Sequence, residues 1–388
     1  MSLESIMEEN LKKHSRAAYC INSKIANDPE LSGEEYHACA TYVKECRDLG
    51  MKVEEHFNGQ ATAFKASIKR SIHPVMKIAL LAEYDALPDI GHGCGHSANG
   101  AMSFLAAAAF HDMEDIPVDI DLIGTPDEEL RGGKVVMCKQ NIFKEYDLAM
   151  MVHVSPNETT PNSRFLALSD YRIKFHGQTA HAAAQPWQGR NALNGAMLAL
   201  HAVDMLRQHV RPETRIGSYI VHGGTASNIV PDYSEVECCI RHTQRKYLDT
   251  VIAKVMNCFK GAAIATETTY EVEEWGYAFD DMLWNETATE AVQQVLRDMH
   301  IPFQEERDGG SSDIGNVSHQ CPAVHIELAM GNTFYPGHSR EIADMVKNKN
   351  IESTILQGAH IMVKTILRMA SDEVVRNSMK KEFSEACQ

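Results

Sequence analysis

The sequence has no apolar run near the ~20 residues that a bilayer-spanning helix requires, no C-x-x-C pair, no internal repeat and no low-complexity linker. The first absence excludes a helical membrane protein, and the second argues against a structural zinc finger. Cationic side chains are also short: 37 Lys and Arg face 53 Asp and Glu, a balance of −16. Phosphate contacts need clustered Lys and Arg, so neither a nucleic acid nor an anionic membrane is the expected partner. The opening MSLESIMEENLKKHS is charged and lacks the apolar stretch of a secretory signal, so a cytoplasmic protein is expected. GGSSDIG does not supply the G-x-S-x-G elbow of a serine hydrolase. The H-x-E and P-C-x-x-C pattern of a zinc deaminase is missing as well.

The 388 residues are 44% hydrophobic and 23% charged. That composition fits an ordinary globular chain of two or three domains and excludes disordered and fibrous classes. The ten cysteines read as free thiols in a chain without an export signal. Cys94 stands apart from the others because it lies between glycines in GHGCGH.

Periodicity divides the chain in two. Helices are expected over Leu3–Ala26 and in EEYHACATYVKECRDLG, and strands at Met51–Glu55, Ala61–Ile68 and Met76–Glu83. MKIALLAE is a continuous apolar run, as a strand covered on both faces should be; VDIDLIGT reads as another buried strand and DLAMMVHV as a third. They are separated by GHGCGH with an alanine-rich helix, and by PDEE with a second helix. Such alternation predicts a parallel α/β sheet with helices on both faces. From FLALSDYRIKFHG, read as a strand pair, to TETTYEVEEWG the order becomes β-α-β-β-α-β, a ferredoxin-like α+β insertion. Sheet-type material returns near Asp281 with NETATEAVQQVLRDMHI, CPAVHIELAM and a final helix near Asn350–Met369. The expected domains are therefore 1–168 with 281–388, and 169–280.

Ligands of parallel sheets bind beyond the carboxyl ends of the strands. GHGCGH, PDEE and VHV all fall there. Cys94 and His96 are expected on one side of a short extended segment, next to the adjacent Glu128 and Glu129 and to His153. Thiolate, imidazole and carboxylate are the ligand set of zinc and similar metals. A lone histidine or a glutamate pair would mean little, but three clusters on one sheet edge favour a metal. One glutamate of the pair can ligate while the other takes a proton from metal-activated water. Asp85 either hydrogen-bonds a ligating histidine or caps the turn before Pro88.

DPELSGEE, EYDALPDIGHGCGH, GTPDEELRGG, HGQTAHAAAQPWQGRNAL, GGTASNIVPD, GSSDIGNVSH and GHSREIA together resemble the zinc-peptidase family M-twenty. The likeness is to its amidohydrolase branch, which includes N-acyl-amino-acid, hippurate and aminobenzoyl-glutamate hydrolases. It spans about Asp28 to Met369. The resemblance implies two divalent metal ions, zinc by default with manganese or nickel also fitting, on Cys94, His96, Glu129, His153 and His338. It makes Glu128 the general base. The chain departs from most branch members in placing Tyr335-Pro336-Gly337, not a leucine and paired histidines, before His338. The resemblance further implies that the insertion is a lid that makes a homodimer or higher homo-oligomer. His181 would then reach the partner's site to polarise the substrate carbonyl, and Asn228 and Arg241 would hold substrate. Read by themselves, His181 is a loop histidine and Arg241 is equally a strand surface residue. The implied reaction is hydrolysis of the amide bond in N-acyl amino acids or small peptides with a free carboxylate. The alternative is a non-catalytic metal-dependent binding protein on the same fold.

Overall fold

The computed structural model describes residues 2–276, 278–305 and 310–387. The chain divides into two compact units, Met1–Arg164 with Met282–Gln388, and Phe165–Asp281. The first unit opens with α1 (Leu3–Asn27), whose first turn is capped by the Ser2 side chain accepting from the Ser5 N–H, and α2 (Tyr36–Asp48). β1 (Lys52–Glu55), β2 (Phe64–Lys69) and β3 (Met76–Ala82) follow, then α3 (His96–His111), β4 (Val118–Gly124), α4 (Gly133–Lys139) and β5 (Leu148–Ser155). The second unit holds β6 (Ala167–His176), α5 (Ala192–Leu206), β7 (Arg215–His222), β8 (Tyr233–His242), α6 (Arg245–Ala265) and β9 (Thr269–Glu274). The first unit resumes with α7 (Glu286–Asp298), α8 (Ile314–Ser318), β10 (Ala323–Ala329), α9 (Arg340–Lys347), α10 (Ile351–Ser371) and α11 (Glu373–Ala386). No helix among the described residues is long and apolar enough to cross a membrane.

The first unit's sheet runs β1-β2-β4-β3-β5-β10. β4, β3, β5 and β10 are mutually parallel, whereas β2 is antiparallel to both β4 and β1. The sheet is thus mixed rather than wholly parallel, because the short β1–β2 hairpin needs no crossover helix. Ile78, Leu80, Met150 and Val152 join one core with residues of α1, α3, α7 and α10. Ala79, Leu81, Ile123, Ala149 and Met151 are equally buried but lie outside that core. Burial on both faces explains why these strands read as mostly apolar. α3 is buried along nearly its whole length, and its alanines let it sit close to the strands.

In the second unit the sheet order is β7-β8-β6-β9, every neighbouring pair antiparallel. With α5 and α6 packed against it in one apolar core, this is the ferredoxin-like arrangement. FLALSDYRIKFHG is not a strand pair. It is one long strand, β6, whose register with β8 continues unbroken from Ala167↔His242 to His176↔Tyr233. No glycine or proline interrupts it there, so nothing forces a turn.

Candidate metal centre

The residues picked out by chemistry gather in the first unit at the carboxyl ends of four adjacent strands. Glu83 and Asp85 follow β3, Glu128 and Glu129 follow β4, His153 lies near the end of β5, and His338 sits between β10 and α9. His96 reaches the same edge from the first turn of α3. The Cys94–His96 segment is not extended as expected. Gly95 takes φ +82° and turns the chain straight into the helix, a conformation in which a Cβ would stand 2.1 Å from Val154 Cγ2. Gly100, one turn further, brings α3 so close to β3 that a Cβ there would meet the Glu83 carbonyl oxygen at 2.5 Å.

The ligand atoms of Cys94, His96 and Glu129 lie within 4.8 Å of one another, and so do those of Glu83, His96 and His153. His338 Nε2 stands 3.5 Å from Glu129 Oε2. Asp85 is fully enclosed. Its Oδ1 is 2.8 Å from His96 Nδ1, while Oδ2 accepts from the Ser32 hydroxyl at 2.8 Å and the Glu129 N–H at 2.9 Å. One carboxylate therefore ties His96 to the backbone of Glu129 and to the DPELSGEE loop. From that same loop, Glu35 Oε1 accepts the Asp127 N–H at 2.8 Å, so the turn bearing Glu128 is held from both sides.

Sequence reasoning did not single out Glu83, Lys134 or Asp313. Lys134 is wholly buried, with Nζ 2.7 Å from Glu83 Oε1 and 2.5 Å from Asp313 Oδ1. Its N–H donates to Asp313 Oδ2 at 2.9 Å. Glu83, Glu128 and Asp313 also bring carboxylate oxygens within 4.8 Å of one another, and the Lys134 ammonium is the cation that two of them share. A legible signal did exist for Glu83: like the other clusters, it stands at the carboxyl end of a parallel strand.

The electrostatics test whether a cation belongs here. Burial, then the charges of Glu129 and Glu83, push the Glu128 carboxyl well above the usual range. Burial, then Glu129, push the Cys94 thiol well up. Burial opposes a charged His96, but Asp85 and Glu83 outweigh it and raise the imidazole. Glu129 Oε1 and Glu83 Oε2 are buried without a hydrogen-bond partner among the described residues. A divalent cation would reverse the sign of these pressures and satisfy both oxygens. The donor set fits such an ion. We expect Cys94→Ala and Glu129→Ala each to lower bound metal as measured by elemental analysis. Unchanged metal in both variants would remove them from the ligand set.

In the second unit His181 and Asn228 lie on adjoining loops, joined by the Ala182 N–H to the Asn228 carbonyl at 3.0 Å. His181 Nδ1 accepts from the N–H groups of Ala183 and Ala184 at 3.2 and 3.1 Å. The ring proton therefore sits on Nε2 of this exposed side chain. Arg241 is not brought to that loop. It lies at the far end of β8 from Tyr233, about 26 Å away along a strand rising ~3.3 Å per residue.

The model of peptidase family M20/M25/M40 matches residues 79–368. The chain belongs to this family. Among its M20 relatives, the Xaa-Arg dipeptidase of Mus musculus is 31% identical over 381 residues, covering 94% of this chain and 88% of that protein. A p-aminobenzoyl-glutamate hydrolase chain of Escherichia coli is 30% identical over 303 residues, covering 73% of this chain and 62% of that one. A solved dinuclear metal-binding M20 peptidase from Bacillus subtilis shares the fold, with a TM-score of 0.71 at 14% identity, covering 93% of this chain and 99% of that one. Family and ligand groups together support a divalent-metal hydrolase of amide or peptide bonds.

Proposed function

We propose that this chain hydrolyses small peptides, dipeptides foremost, and N-acyl amino acids with a free carboxylate. The observation that carries the reading is the pair of ligand groups meeting at His96, with Glu128 beside them. Cys94, His96, Glu129, His153 and His338 would hold two ions, and the thiolate favours zinc among the candidates. When bound, the ions supply Lewis acidity that polarises the scissile carbonyl and makes water acidic enough to attack. Glu128 takes the proton from the attacking water and passes it to the leaving amine. Asp85 fixes the His96 tautomer by occupying Nδ1. His181 of the second unit would donate its Nε2–H to the substrate carbonyl.

The substrate class rests on the dipeptidase and hydrolase relatives. The test is a metal-reconstituted enzyme assayed for amino-acid release against dipeptides ending in arginine and in other residues, aminobenzoyl-glutamate and hippurate. No release from any member of that panel would refute the reading and favour a binding protein.

The second unit serves, in this reading, as the lid through which copies pair. The ~26 Å of β8 between the Asn228 end and Arg241 exceeds a small substrate, so if both touch one molecule they come from different copies. We expect His181→Ala to lose activity and keep its metal. Mixed with Glu128→Gln under exchange of protomers, it should recover up to about a quarter of sites, because in the mixed dimer one site carries both defects and the other neither. Exchange proven by mass without recovered turnover would assign His181 to its own chain's site or to none.

A further inference from the structure

His96 is claimed by two ligand groups, one with Cys94 and Glu129 and one with Glu83 and His153. Its Nδ1 is committed to Asp85, so Nε2 alone can meet a metal, and a single nitrogen serves a single ion. His153 is constrained in the same way, its Nδ1 lying 2.8 Å from the Val154 carbonyl oxygen. The side chain facing His96 Nε2 is Glu83, whose Oε2 stands 3.5 Å away. That is too long for a good hydrogen bond. It matches the separation of two ligands on one tetrahedral ion, about 3.3–3.4 Å for bonds of ~2.0–2.1 Å. His338 Nε2 and Glu129 Oε2 are separated by the same 3.5 Å.

Glu83 is 1% exposed, and its two oxygens are used differently. Oε1 is anchored by the Lys134 ammonium at 2.7 Å, whereas Oε2 has no hydrogen-bond partner among the described residues. A carboxylate with one oxygen fixed by a buried cation and the other left bare toward two imidazoles is built as a ligand. Ligating carboxylates are themselves held by hydrogen bonds in this manner.

We propose that Glu83 is a metal ligand, binding through Oε2 the ion held by His96 and His153, while Cys94, Glu129 and His338 serve the other ion. The first site is then a His₂Glu set with one position open, the donor count of catalytic rather than structural zinc. Lys134 becomes the residue that aims this ligand. The inference rests on the two-metal reading above and adds a sixth ligand to it.

The test is a titration of metal-free protein with zinc against a chromophoric chelator, repeated with cobalt to follow its visible spectrum. Glu83→Gln keeps the shape and an oxygen for Lys134 but loses the charged donor. It should weaken one of two ions by more than the about 10–100-fold that loss of a merely orienting partner causes, and remove one cobalt component. The triple variant Glu83→Ala/Lys134→Met/Asp313→Asn deletes the lysine together with both acids that it pairs, so that neither partner is left as a lone charge to disturb folding, and should show the same loss. Two ions bound by both variants with a smaller loss or none, and an unchanged cobalt spectrum, would overturn the proposal and leave Glu83 as the ion-pair partner of Lys134. Wild-type protein that takes up no metal would instead overturn the hydrolase reading itself, and this proposal with it.

Discussion

Glu128→Gln is expected to lower kcat by about 10²–10⁴-fold, the usual cost of removing a general base, with both metal equivalents retained. The substitution is nearly isosteric, and the loop that carries it is held by others. The Glu129 N–H is fixed by Asp85 and the Asp127 N–H by Glu35. Nothing about the ligands need move, so substrate affinity should change little while turnover falls. The carboxamide cannot accept the proton that the attacking water must lose. Steady-state kinetics on a dipeptide that the wild type cleaves, with metal content measured on the same sample, checks this. Near-full turnover in a folded, metal-loaded variant would show that the base lies elsewhere.

Lys134→Met should be the most damaging single change to the stability of the first unit. The ammonium is fully buried between Glu83 and Asp313, with Glu128 close to both acids. Removing one partner of a buried ion pair costs about 3–5 kcal/mol, because the charge left behind is neither solvated nor paired. Here two acids lose their shared cation at once. Burial already holds the Asp313 carboxyl up at about 6 despite Lys134, so the cluster has little tolerance for further negative charge. Denaturant titration of the metal-free protein reads the loss, and adding Asp313→Asn to Lys134→Met should restore part of it. A midpoint unchanged by Lys134→Met would mean that the acids are carried by water or protonation and not by this lysine.

Much of the fold was legible because burial leaves a pattern along the chain. Strands enclosed on both faces are predominantly apolar, so MKIALLAE, VDIDLIGT and DLAMMVHV announced β3, β4 and β5. The amphipathic runs of the second unit announced α5 and α6. Strand direction was not legible. Whether Phe64–Lys69 runs with or against β4 depends on where the chain returns, and no residue within it records that. α11, Glu373–Ala386, has just one buried residue, Met379; with so thin an apolar stripe it left no strong period to read. At the site, Cys94, His96, Glu128, Glu129 and His153 could be picked out because each lies in a short polar cluster at a strand end.

Sequence alone thus determined the two-part α/β architecture and the chemical nature of the site, since both follow from local composition and short-range spacing. Tertiary structure decided which donors meet. Lys134 stands 51 residues from Glu83 and 179 from Asp313, so their contact exists only once β3, α4 and the segment before α8 are packed together. The same holds for the approach of His338 to Glu129 and for the choice of the His96 tautomer by Asp85. A buried charge is tolerable only beside its partner, and which partner that is depends on distances in space that residue spacing does not encode.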